Sequence, residues 1–459
     1  MTLEDYLQRD AERWPDKVAV VCGDEQVTYA ELERRVCACA EQLTTEARRV
    51  VCLRAHCSID YLVTYFALHR RGSVAAPLER DLPEETFRQI EHLLGAYECP
   101  EGTADVLYTT GTTGRSKGVM ISHRTIVCDA ENLIDGQGFC HDTVFVINGP
   151  LNHIGSLSKV YPVILEGGTI ILVDGMKDLD CFFAAFNYPL TSHSSPLTSK
   201  RFATFLVPAS IRILVQLASD RLGALADRLD FVETGAAAIS QSDMEALCRL
   251  LPHTRLYNTY ASTETGIIAT CNFNDEHHHC IAGCLGRPMR HSQLLITPQG
   301  TIACKGGTLM TGYVGDAERT AAVLRDGTLY TSDLGRVDTD GLLHLQGRED
   351  DVINVGGFKV APTEVEDAAL AFPAVRDCIC LSVPHPITGS ALKLLVQLAP
   401  GEELNKRQLA LHLKSRLETF KVPMLYEQVD TIRRTFNGKL DRKSYEFFGL
   451  RVGGSEKSL

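Results

Sequence analysis

Apolar residues recur at helical spacing over residues 3–13, then give way to a short apolar strand over 18–22, a Gly23-Asp24 turn and a return strand over 26–29. A helix is expected over 29–43. Strand, helix and strand over 50–54, 58–71 and 74–77 then form a βαβ unit. From Ala104 the alternation resumes, with a strand running into a Thr/Gly loop, a helix from His123, a strand over 143–147, a helix after His153 and a strand over 169–173. Strands over 204–207, 231–233 and 254–257, with helices over 209–219 and 241–250 between them, make this first part α/β with mainly parallel sheets.

After Gly266 the pattern changes to short strands and turns, over 293–297, 300–301, 329–331 and 341–346, as in a small antiparallel β subdomain. Beyond Gly347 a third character begins. A helix over 364–371, strands near 378–383 and 393–398, a helix over 405–417 and a last basic loop predict a small α+β C-terminal domain. The expected division is therefore a large domain over 1–347, a joint over 348–351 and a small domain over 352–459, with the tail over 453–459 disordered.

A chain of 459 residues exceeds one ordinary core. Its 44% hydrophobic and 23% charged content is that of a globular protein, and a formal net charge of −12 disfavours nucleic-acid or anionic-membrane surfaces. The 16 cysteines are scattered, with no CxxC pair, no signal peptide and no membrane-length apolar run, so reduced thiols in a cytoplasmic protein are expected. One metal-like cluster, His277-His278-His279-Cys280 with Cys284, lacks a second ligand pair and is expected to be an exposed loop.

The stretch richest in chemistry is Tyr108-Thr109-Thr110-Gly111-Thr112-Thr113-Gly114-Arg115-Ser116-Lys117-Gly118. Three glycines expose backbone N–H groups, four threonines add hydroxyls, and Arg115 and Lys117 add positive charge, the ingredients of a phosphate cradle or of a solvated linker. It is not a Walker A loop: Lys117 lacks both the preceding glycine and the following hydroxyl.

Five further segments follow in a fixed order: Pro150-Leu151-Asn152-His153-Ile154-Gly155; Tyr257 to Gly266; Tyr330-Thr331-Ser332-Asp333; Gly347 to Val360; and Arg433 to Arg442. Together with the glycine loop, and over nearly the whole chain, they resemble the adenylate-forming superfamily of acyl-CoA synthetases, aryl-CoA ligases, luciferases and peptide-synthetase adenylation domains. The resemblance implies that Thr109, Thr110, Gly111, Thr112, Thr113, Gly114 and Lys117 clamp the departing pyrophosphate. His153 would flank the carboxylate pocket, and no Asp stands where peptide-synthetase domains pair an amino group. Asn258 would meet the adenine edge, Thr259 would border the nucleotide, Tyr260 would stack on the base, Thr263 would contact the α-phosphate and Glu264 would hold Mg²⁺. Gly235, Ala236 and Ala237 would lie between adenine and acyl group, Asp333 would bind the ribose hydroxyls, and Arg348 the ribose or phosphates. Asp350 would be the hinge, Gly357 would let pantetheine pass, and Lys439 would enter the site for adenylation.

The implied reaction is a two-step acid–thiol ligation: ATP and a non-amino carboxylic acid give acyl-AMP and pyrophosphate, and CoA displaces AMP. The expected cofactors are ATP, Mg²⁺ and CoA or a carrier protein's phosphopantetheine; a small carboxylic acid and an acyl carrier protein are the expected partners. A carrier-loading acyl-AMP ligase is the alternative within the class. A non-catalytic nucleotide-binding protein is the alternative outside it, whose mark would be loss of Lys439, Glu264 or Asp333. Ser116 and Ala261 depart from the family's usual proline and glycine, and the span over 78–108 is shorter than usual, so part of the first sheet is expected to be missing.

Overall fold

Strands that are buried on both faces need helices on both sides of their sheet, and Val144–Ile147 and Thr169–Leu172 carry only buried residues, as do five of the six positions of Leu229–Thr234. The computed structural model describes residues 1–109, 117–189, 201–275, 280–435 and 439–446. Thr110 to Gly114, the histidines 277–279 and the tail over 453–459 lie outside them.

Among the described residues the larger sheet has 14 strands. Val18–Cys22, Thr169–Leu172, Val144–Ile147, Phe202–Leu206, Leu229–Thr234 and Arg255–Ser262 lie side by side in parallel. From there the direction alternates. Gly266–Asn272, Cys284–Pro288, Leu343–Arg348, Thr328–Val337, Thr301–Gly306 and Ser292–Ile296 follow as antiparallel neighbours. The antiparallel part is thus an extension of the parallel sheet. The physical cause is the tight turn after Ser262, which sends the chain straight back along its neighbour with no crossover helix.

A second, five-stranded sheet joins Val50–Arg54, Val74–Leu78 and Thr103–Thr109 in parallel, then Lys117–Ser122 and Gly312–Tyr313 in antiparallel fashion. The shortened span leaves no gap in it. A single helix, Glu84–Gly95, makes the crossover, and Ala75 pairs with Asp105. Helix Ile59–Arg70 is buried almost all round, and with His123–Gln137 it fills the space between the sheets in one apolar cluster containing Phe66, Leu133, Val119, Phe145 and Phe231.

Inside this packing lies a charged chain. His69 Nδ1 is 2.8 Å from Glu4 Oε1 and its Nε2 is 3.0 Å from Asp105 Oδ1, while the Tyr65 hydroxyl donates to Asp105 Oδ2 at 2.8 Å. His123 Nδ1 approaches the other Glu4 oxygen at 3.9 Å. Both His69 nitrogens are taken by carboxylates, so Glu4, His69 and Asp105 form a proton-bridged chain, and His123 stands beside it beyond hydrogen-bond distance.

Beyond Ile353 an independent apolar cluster forms from Val360, Val365, Cys378, Leu394, Val396, Leu409 and Leu413. Helices Pro362–Leu370 and Lys406–Lys414 pack with the hairpin Val375–His385 and Gly389–Leu398, to which Leu425–Gln428 adds in parallel. Helix Leu179–Ala185 and the small hairpin of Ile353–Val355 and Phe358–Val360 are elements the apolar pattern does not reveal.

No disulfide joins the cysteines. Cys280 Sγ is 3.9 Å from Cys248 and Cys284 Sγ is 3.7 Å from Cys271, so the two cysteines of the His/Cys cluster face different partners. Among the described residues no helix is long and apolar enough to cross a membrane.

Candidate active site

The site gathers at the C-terminal ends of the parallel strands, where Arg255–Ser262 turns into Gly266–Asn272. The turn is fixed by exchange between two side chains: Thr265 N donates to Ser262 Oγ and Ser262 N to Thr265 Oγ1, both at 3.0 Å. Gly266 closes it at φ +67°, where a Cβ would stand 2.5 Å from Asp129 Oδ1 and from the Thr308 carbonyl. The turn buries Thr263 and leaves Glu264 half-buried, with Glu264 Oε1 accepting from the Tyr313 hydroxyl at 3.1 Å.

Tyr313 brings the second sheet into the site. Gly312–Tyr313 pairs with Lys117–Ser122, and Lys117 Nζ lies 5.2 Å from the Tyr313 ring centroid, within cation–π range. Burial pushes the Lys117 ammonium below the ordinary lysine range; Arg319 adds to this and Glu264 opposes it. Thr109 and Lys117 are direct antiparallel partners, so they mark where the glycine loop leaves the sheet. Tyr313 was not legible in the sequence, because a two-residue strand has no periodicity to read, and neither was Arg319, on the seven-residue helix Ala317–Val323.

Asp333 and Arg348 face each other across adjacent strands, with Arg348 Nε 3.3 Å from Asp333 Oδ1. The Tyr260 hydroxyl donates to the other oxygen, Oδ2, at 2.5 Å. Lys439 sits on a tight hairpin in which Thr435 N donates to the Lys439 carbonyl at 2.8 Å and Arg434 bridges to Leu440. Its side chain opens on the cleft yet is closely surrounded by protein groups. That crowding and Arg348 push its ammonium down, while Asp333 and Glu264 hold it up. His153, whose Nδ1 accepts from Gly155 N at 3.1 Å, is driven to about 4 by burial and by the Lys439 charge, and its imidazole is neutral at physiological pH.

Lys117, Arg319, Arg348 and Lys439 therefore gather around one cleft, with Glu264, Asp333 and Asp316 as opposing carboxylates among the described residues. In a chain of net charge −12 this is a local positive field, suited to a polyanion. Beside it, strand Leu229–Thr234 ends at Gly235, where a Cβ would come within 2.8 Å of the Thr259 carbonyl and 3.6 Å of Phe205. Ala236 follows at φ +65°, a left-handed conformation that costs an alanine about 1 kcal/mol. Phe205 also lies 3.2 Å from the Cβ position of Gly155, so it is a wedge between the His153 turn and the Gly235 segment that sequence reasoning did not single out. Gly235→Ala is expected to destabilise the fold by about 1–3 kcal/mol, since the added methyl meets backbone that cannot yield; thermal unfolding of the variant checks this.

Other expected residues stand apart from this cluster. Thr259 Oγ1 accepts from Gln137 Nε2 and bonds to Thr270 Oγ1, both at 3.0 Å, within the sheet. Asn258 is 4% exposed and donates to the Cys284 carbonyl at 2.9 Å, bracing two strands. Gly357 lies at the exposed tip of the 353–360 hairpin at φ +95°, where a Cβ would meet nothing, so the turn conformation itself favours glycine there. Asp350 lies exposed in the short turn Glu349–Asp351.

The "AMP-binding enzyme" family model matches residues 7–99 and 96–314, and the "AMP-binding enzyme C-terminal domain" model matches 364–439. Feruloyl-CoA synthase of an Amycolatopsis species is 28% identical, the match covering 94% of this chain and 96% of that protein. A 2-succinylbenzoate–CoA ligase of Staphylococcus epidermidis is 25% identical over 99% of each. Among solved structures, ATP-bound MatB from Rhodopseudomonas palustris has a TM-score of 0.84 at 23% identity, over 98% of this chain and 100% of that one. The o-succinylbenzoate CoA synthetase from Bacillus subtilis, in complex with its acyl-adenylate intermediate, has 0.80 at 21% over 99% of each. The two solved structures share this fold, and the family models place the chain: it belongs to the AMP-binding enzymes of the adenylate-forming superfamily and is an AMP-forming ligase of the acyl-CoA synthetase type.

Proposed function

We propose that the enzyme activates a non-amino carboxylic acid as its acyl-AMP and then passes the acyl group to CoA. The observation that carries this reading is the placement of Lys439, from the C-terminal part of the chain, among Glu264, Asp333, Arg348 and His153. In the first step a carboxylate oxygen bonds to the α-phosphorus of ATP and the bond to pyrophosphate breaks. In the second a thiolate bonds to the acyl carbon and AMP leaves.

Neither step needs a protein nucleophile; both need alignment and compensation of charge. Lys439 bridges the incoming carboxylate and the phosphate, Lys117 and the glycine loop, including Thr110, Thr112, Thr113 and Gly114, hold the departing pyrophosphate, and Asp333 accepts from the ribose hydroxyls. Thr263 and Arg348 flank the α-phosphate. The half-buried Glu264, a hard oxygen donor amid cations, fits a Mg²⁺ ion, which would neutralise charge between carboxylate and triphosphate. Neutral His153 borders the acid without adding charge of its own. Turning about Asp350 withdraws Lys439 and brings the Gly357 side forward for the thiol.

The test is pyrophosphate release across hexanoate, benzoate and succinate, with and without CoA. Acid-dependent pyrophosphate and CoA-dependent AMP are expected, and acid-independent hydrolysis of ATP would sink the reading. Asp333→Ala is expected to raise KM for ATP by about 10–100-fold with a smaller change in kcat, the loss of hydrogen bonds to a charged group; an unchanged ATP affinity removes the ribose role.

A carrier protein's phosphopantetheine is the second acceptor to weigh; the chain is also 24% identical, over 96% of its length, to surfactin synthase subunit 2 of Bacillus subtilis, of which it spans 14%. Offering CoA and holo-carrier protein side by side as the AMP-releasing thiol decides between them.

A further inference from the structure

The hairpin that carries Lys439 is tied down on both sides by arginine–carboxylate forks. Before Lys439, Arg434 Nη2 donates to Asp377 Oδ1 and Oδ2 at 2.8 and 2.7 Å. After it, Arg442 Nη1 and Nη2 donate to the two Glu366 oxygens at 2.7 and 2.9 Å. Asp377 also reaches the large N-terminal part. Arg212, on helix Pro208–Leu217, donates from Nη1 to Asp377 Oδ1 at 2.8 Å, while its Nε and Nη2 hold Asp243 Oδ2 at 3.1 and 2.9 Å. Ser240 Oγ fixes Asp243 at 2.8 Å, and Arg376 Nε adds a second crossing bond to Gln216 Oε1 at 2.8 Å.

The side chains of Arg212 and Asp377 are only 12% and 14% exposed, so solvent and salt screen their attraction weakly. Asp377 sits on strand Val375–His385, tied to the Lys439 hairpin through Arg434, whereas Arg212 belongs to the large part. Any rotation that withdraws Lys439 must therefore break the Arg212 arm and can keep the Arg434 arm.

We infer that Asp377 and Arg212 are positioning residues for adenylation: the bridge Arg212–Asp377–Arg434 seats Lys439 in the cleft and biases the enzyme toward the orientation of the first half-reaction. This rests on the function proposed above. Loosening the Arg212 arm shifts the population of orientations, and removing the Asp377 charge frees the hairpin as well, so the two variants differ in degree.

The test uses the full chain as Arg212→Met, Asp377→Asn and Arg212→Lys, with Lys439→Ala as the check on the underlying reading. With MgATP alone, hydrogen exchange in residues 433–435 and 439–441 is expected to quicken about tenfold in Arg212→Met and more in Asp377→Asn, with partial recovery in Arg212→Lys. With the acids named above, kcat for acid-dependent ATP–pyrophosphate exchange is expected to fall about tenfold at unchanged KM for ATP, while CoA-driven AMP release from supplied acyl-adenylate is kept or quickened. Unchanged hairpin protection, or an equal fall in both half-reactions, overturns the proposal. An active Lys439→Ala enzyme instead removes the role of Lys439, and an Arg212→Met enzyme that behaves as wild type beside an inactive Lys439→Ala removes the bridge alone.

Discussion

Lys439→Ala is expected to lower acid-dependent pyrophosphate exchange by about 10²–10³-fold, the usual loss when one preorganised donor to a developing charge is removed. Thiolysis of a supplied acyl-adenylate should fall far less. The split follows from where the ammonium stands: in the orientation seen here it shares the cleft with Glu264, Asp333 and Arg348, and in the rotation proposed above for the second step the hairpin turns away. A lysine suits a contact that is made and withdrawn, being a compact charge on a flexible stem. Close packing and Arg348 press its proton affinity down, and Asp333 and Glu264 oppose them. Lys439→Arg should not restore the rate, because the wider guanidinium does not fit a position already crowded by Arg348. Rates of the two half-reactions measured separately check both statements. Equal loss in both would show that Lys439 serves the fold rather than the first step.

His69→Ala is expected to cost about 3–5 kcal/mol of stability, the penalty for leaving a buried charge without its partner. Removal of the imidazole leaves Glu4 and Asp105, 4% and 0% exposed, facing each other across a cavity with their shared counter-charge gone. The pH dependence has a definite sign. Burial lowers the proton affinity of His69, yet Glu4 and Asp105 outweigh it and hold the group at about 10, above its ordinary 6.5. Its contribution is complete below pH 6.5 and is lost as the pH rises toward 10. For Glu4, burial raises the value, but the charge and hydrogen bond of His69, with help from His123, bring it to about 2 against an ordinary 4.5. That contribution is complete above pH 4.5 and is lost as the pH falls toward 2. The wild type should therefore gain most over His69→Ala between pH 4.5 and 6.5. His69→Gln, whose amide nitrogen can donate to a carboxylate but which carries no charge, should recover part of the stability and flatten the profile. Denaturant unfolding of the three proteins at several pH values measures this. A difference between wild type and His69→Ala that is flat in pH would mean that the chain is held by packing alone.

The elements of the large part differ in how much of them the chain discloses locally. Helix Gln241–Leu250 and helix Leu3–Arg13 carry their full apolar spacing, and their bounds were legible in the pattern. Helix Leu179–Ala185 was not, because its seven residues are too few for a period of 3.6 to declare itself. The union of the antiparallel strands with the parallel sheet was hidden for another reason. Pairing between Cys284–Pro288 and Leu343–Arg348 is set by long-range contacts and leaves no mark in either strand alone.

The amino-acid sequence by itself determined the alternation of strands and helices, the order of the six motifs and the identity of the charged residues in them, because these depend on local spacing and on residue type. Tertiary structure alone decided which of those residues meet. It set Tyr313 beside Glu264, placed Phe205 between His153 and Gly235, and drew Thr259 into a hydrogen-bonded pair within the sheet. It also paired Arg212 with Asp377 and buried His69 between two carboxylates. Contacts between residues so far apart along the chain are fixed by packing, and packing is a property of the whole fold rather than of any stretch of it.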